Sequence, residues 1–106
     1  MMKDLFAAAG ITARRNRFTK PPDGIYAVWM DDVETDGADG MPPVIYRHEI
    51  TIEVYEPRPD DDAIKSLEAV LSANGLHWTK QDRYWIQAEK MYQTIYEFYY
   101  IEKRRT

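Results

Sequence analysis

Apolar side chains near the N-terminus fall at Met2, Leu5, Phe6 and Ala9, the i, i+3, i+4, i+7 spacing of one helical face. That spacing predicts a short helix over 2–9, stopped by Gly10, a residue suited to the left-handed position after a helix. Residues 11–18, with Arg14, Arg15 and Arg17 close together, suit a short exposed strand. Pro21-Pro22-Asp23-Gly24 forms a turn. Residues 25–30 are all apolar or aromatic and read as a strand with both faces covered. A polar segment, 31–43, is expected as a loop, long for so small a protein. Over 44–55, Ile50, Ile52 and Val54 alternate with Thr51, Glu53 and Tyr55, the period of a strand with one buried face. The second helix is expected over 63–73. Ile64, Leu67, Val70 and Leu71 make its stripe, Asp60 is placed to cap its N-terminus, and Asn74-Gly75 ends it. A short strand over 76–80 and a turn at 81–83 follow. The segment 85–88 extends or kinks into the last strand, 90–101. The order α-β-β-β-α-β-β predicts a single α+β domain over 1–106. It would have one antiparallel-dominated, mixed sheet with two helices packed on one face.

Charge adds an asymmetry to this pattern. The chain's net charge of −4 is unevenly spread. Residues 1–30 hold five basic and two acidic groups (+3), 31–70 three basic and twelve acidic (−9), and 71–106 six basic and four acidic (+2). A strongly acidic middle argues against specific nucleic-acid binding, which needs a basic face. Complementary patches on one chain suit self-association. There is no cysteine, so disulfides, thiolate metal sites and a cysteine nucleophile are excluded. No apolar run approaches the roughly 20 residues needed to span a bilayer, and the N-terminus makes a poor signal peptide; a cytosolic protein is expected.

Chemistry-bearing motifs are scarce. Asp32, Glu34, Asp36 and Gly37 imitate the opening of a calcium-binding loop, but Pro43 stands where the twelfth-position glutamate is needed. The only histidines, His48 and His77, are too few for a zinc site without cysteine, and structural or surface roles are expected for them. Both serines, Ser66 and Ser72, lie within the second helix, and no nucleophile elbow or phosphate-binding glycine loop occurs. No catalytic residue, metal or cofactor is expected. The run Arg14, Arg15, Arg17 and Lys20 reads as a charged edge strand that discourages unwanted pairing.

The most unusual feature is the aromatic last strand. Tyr92, Tyr96, Phe98 and Tyr100 alternate with Met91, Ile95, Tyr99 and Ile101, so both faces carry large apolar groups. Helices cover one face. Tyr92, Tyr96, Phe98, Tyr99, Tyr100 and Ile101 are therefore candidate subunit-interface residues, since Tyr and Trp are enriched at interfaces; the equal alternative is a central strand covered on both faces within the chain itself.

Three segments in order, "PPDGIYAVW", "HEITIEVYEPRPDDDAIKSLEAVL" and "EKMYQTIYEFYYIE", give the chain a recognisable layout. It resembles the small tail-completion proteins of long-tailed bacteriophages and prophages, the tail-terminator or head–tail joining class. The resemblance rests on Ile25, Tyr26, Ala27 and Val28, then Ile50, Ile52, Glu53 and Tyr55, then Tyr92, Tyr96 and Phe98. It implies an oligomeric ring, commonly a hexamer, that caps the tail tube and offers a face to the head connector. It also implies assembly in the host cytoplasm and a final place in the tail or neck of the virion. DNA would pass through such a ring, and the acidic segment at Asp31, Asp32, Glu34, Asp36 and Asp39 is a candidate lining of that passage or a partner-binding loop. The alternative reading is a small acidic protein-binding module, regulatory or inhibitory, without catalytic activity.

Overall fold

The computed structural model describes residues 1–36 and 45–103, with the side chain of Asp36 excepted. Asp39, and the basic tail at Arg104 and Arg105, lie outside the described residues. Helix α1 spans Met2–Ala9, and its buried residues are Met2, Leu5, Phe6 and Ala9, the whole of the predicted stripe. Gly10 closes it in the left-handed region at φ 73°. Strand β1 is only Ala13–Arg15. Then come β2 (Tyr26–Asp36), β3 (Ile45–Glu56), α2 (Asp61–Ala73), β4 (Thr79–Lys80), β5 (Tyr84–Ile86) and β6 (Met91–Lys103). The Asp60 side chain accepts a hydrogen bond from the Ala63 N–H at 3.1 Å, so the expected cap of α2 is in place.

The strands form one sheet in the order β1-β2-β3-β6-β4, with β5 also on β6. Among the described residues only β1 and β2 run parallel; every other pair is antiparallel. The α+β architecture and its mixed sheet are therefore as the periodicity predicts. The segment around Trp85 is a short strand of its own. It joins β6 one residue out of step with β4: Lys80 faces Tyr96, whereas Tyr84 faces Gln93.

Register fixes the two faces. Ala27, Ile52 and Tyr96 share one cross-sheet side with Val54, Ile50 and Phe98. That side joins α1 and α2 in a single apolar core of Leu5, Phe6, Ile52, Leu67, Leu71 and Tyr96, among others. Among the described residues the opposite side is closed only at one end. There Phe18, in the connection from β1 to β2, meets Tyr26 edge-on at 5.4 Å, and Tyr26 stacks on Tyr55 at 5.1 Å.

The polar segment expected as a loop is a strand for its first six residues. Asp31 to Asp36 continue β2 and pair in register with Ile50 to Ile45. Acidic residues have poor strand propensity, but the ladder begun by residues 26–30 propagates through them against β3. The helix layer does not follow. Val33 points to the same side as Ala27 yet is 41% exposed, and Thr35 beyond it is exposed as well. The distal parts of β2, β3 and β6 thus form a bare, three-stranded arm.

Candidate functional site

The arm begins where three strands are pinned together by one imidazole. His48 of β3 lies 2.8 Å through Nδ1 from Asp31 Oδ2 of β2 and 2.8 Å through Nε2 from Glu102 Oε1 of β6. Its ring stacks on Tyr100 at 4.4 Å with only 4° between the planes. Only an imidazolium has two N–H donors for two carboxylates. Burial pulls the imidazole pKa down, but the hydrogen bonds and charges of Asp31 and Glu102 outweigh it, and the net shift is upward. Burial and the same two carboxylates push the Tyr100 phenol up. Asp31 Oδ1 is buried without a hydrogen-bond partner among the described residues. Both nitrogens of His48 are engaged, so neither is free to exchange a proton with a substrate. The geometry is that of a clamp.

A second clamp holds the other end of β3. The Glu56 carboxylate, fully buried, accepts Arg83 Nε at 3.2 Å and Arg83 Nη2 at 3.3 Å, and also accepts the Asp60 N–H at 2.6 Å. Arg83 reaches Asp61 as well. One bidentate pair thereby joins β3, the start of α2 and the turn between β4 and β5.

Among the acidic candidates, Asp31 points inward and serves His48, while Asp32 and Glu34 are exposed on the arm. These residues lie on a strand, so a loop at this point of the chain is corrected to an arm. The aromatic candidates divide by parity. Tyr96 and Phe98 are buried in the core, at 0% and 6% exposure, and are spent within the chain. Tyr92 and Tyr100 are half-buried. Tyr99 and Ile101 are half-exposed, on the side of the arm that no helix covers. Arg47 lies over the Tyr99 ring at 4.1 Å and pairs with Glu49 at 3.1 Å. Thus the open face carries Asp32, Glu34, Arg47, Glu49, Tyr99 and Ile101 together, because they are cross-strand neighbours. Sequence reasoning reached Tyr99 and Ile101 but not their separation from Tyr96 and Phe98, which depends on where the helices stop.

A groove lies beside the opposite edge of the sheet, between α1 and β1. Phe6, Ile11 and Trp29 contribute its apolar part, and Lys3, Arg14 and Arg15 its charge. Among the described residues no carboxylate lines it.

No family model matches the chain, and no curated protein does. Solved structures do share its fold. A chain of the virion of a native gene transfer agent particle aligns with a TM-score of 0.60 at 16% identity, over 94% of this chain and 84% of that one. A second solved chain aligns with a TM-score of 0.63 at 13% identity, over 98% of this chain and 87% of that one.

Proposed function

We propose that this protein is a non-catalytic structural component of a phage or prophage particle. In this reading it assembles with copies of itself into a ring that completes the tail or joins it to the head. The observation that carries the reading is the fold shared with a chain of a gene transfer agent virion, a phage-like particle, along nearly the whole of both chains. Two further features support it. The exposed Tyr99, Ile101 and Val33 on a bare arm suit contact with other chains. Of the described titratable residues, His48, Asp31, Glu56 and Glu102 are engaged in clamps that stiffen a scaffold.

Negative-stain electron microscopy of concentrated protein tests the proposal. Annular particles of uniform diameter, with a central opening, are the expected result. Compact single chains at every concentration, together with a stoichiometric complex on a basic partner protein, would instead support the acidic binding module.

A further inference from the structure

We infer that the arm of one copy docks against the basic groove beside β1 of the next, so that one acidic strand seats between Lys3, Arg14 and Arg15. This names the interface of the assembly proposed above and rests on that reading.

The groove has the features of a strand-binding edge. β1 ends the sheet. The Thr12 carbonyl accepts the Ala27 N–H at 2.9 Å, and the Asn16 N–H donates to the Trp29 carbonyl at 2.8 Å. Alternation along the strand therefore turns the Ala13 N–H and carbonyl and the Arg15 N–H away from the sheet. The Arg15 carbonyl is taken by the Arg17 N–H. Arg14 and Arg15 are in register with Val28 and Trp29, which lie on opposite sides of the sheet. The two guanidinium groups therefore straddle the edge, one on each side. This suits a strand gripped between them better than a phosphate backbone, which asks for cations in a row. The half-buried Trp29 in the groove adds apolar surface that a phosphate backbone would not use.

The arm has the complementary features. Asp32 and Glu34 are exposed, and neither meets a cation among the described residues; Arg47, across from Glu34, is turned to Glu49 and Tyr99. Val33 between them is apolar and 41% exposed. On the groove side, Lys3, Arg14, Arg15 and Arg17 form no ion pair among the described residues either. Arg14 and Arg15 lie over the Phe18 and Trp29 rings at 5.9 and 5.5 Å, which holds the two guanidinium groups at the edge without a carboxylate, while Asp32 and Glu34 stand on the arm without a cation among the described residues. The arm does not fold back onto its own groove, because β2 pairs continuously with β3 as far as Asp36 and Ile45. The contact is then between copies, and it is head-to-tail, the type that closes into a ring or runs into a filament. It sets Asp32 and Glu34 between subunits instead of along a central passage.

Charge reversal on full-length protein tests the interface by sedimentation velocity at low and high salt. D32K/E34K on the arm and K3E/R15E at the groove are each expected to weaken self-association more than about tenfold. Mixing the two variants restores it, since each reversed surface then finds a reversed partner. Because the chain has no cysteine, E34C mixed with R15C gives a second reading that reports proximity and not charge reversal: a disulfide-linked dimer is expected. Wild-type association that neither charge variant weakens, with no such dimer, overturns the interface and leaves the assembly reading standing. No association of the wild type under any condition overturns both. A short DNA duplex bound by the wild type and not by K3E/R15E would reassign the groove to nucleic acid.

Discussion

His48 has two ring nitrogens and faces two carboxylates, and the neutral ring can donate to only one of them. The other carboxylate would then face a lone pair. Folding therefore favours the imidazolium, consistent with the upward shift. The sign of the pH dependence follows. The folded-state pKa lies above the ordinary value of about 6.5, so the clamp's contribution is fully present below that value. It is lost as pH rises through the folded pKa. Thermal melts of wild type and His48→Gln should show their largest stability gap at pH 5.5 and a narrowing gap at alkaline pH. At low pH the substitution should cost on the order of 3 kcal/mol, because it leaves Asp31 buried without its cation. A gap that widens with pH would contradict the clamp. Arg83→Ala, which strands the buried Glu56, should cost about as much in denaturant titration. Asp60→Ala, the loss of a single cap, should cost about 1 kcal/mol. These three residues differ in how legible they are. Asp60 sits three positions from the N–H it caps, so its role can be read locally. His48 finds its partners 17 and 54 positions away, and Glu56 finds Arg83 at 27. Nothing short of the strand register brings those groups together.

At the level of elements, both helices were readable because their stripes follow the helical period and end in residues that tolerate left-handed geometry. The alternation in β3 and β6 was equally plain. The arm was not, since Asp31 to Asp36 show no apolar alternation and only the pairing with β3 makes them a strand. Nor does any pattern in β6 say that helix cover ends near Tyr100. Alternation and cover together set the expected mutational profile of β6. Tyr96→Ala should destabilise by about 3–5 kcal/mol, as for a large buried aromatic, and it also removes the 2.6 Å hydrogen bond from the Tyr96 hydroxyl to Glu68. Tyr99→Ala, three positions on, should cost less than about 1 kcal/mol, because it loses only an exposed stacking contact with Arg47. If the two cost the same, the division of β6 into a core side and an open side is wrong.

For the whole molecule, the two clamps and the single core make a stiff body, and the arm extends the sheet beyond it. The molecule measures 50 × 28 × 22 Å. An elongated shape, with exposed apolar groups on the arm and a basic edge that forms no salt bridge among the described residues, offers little to a chain that works alone. It suits one that works in contact with copies of itself. The composition already hinted at this through its acidic middle and basic start. The geometry adds that the two charges lie on different surfaces, as a head-to-tail contact needs. The most direct measurement is the solution mass by light scattering across a concentration and salt series. The expected result is one discrete species at a fixed small multiple of 12.5 kDa, near six, that dissociates as salt is raised. A mass of 12.5 kDa throughout, unchanged by salt or concentration, would contradict self-assembly.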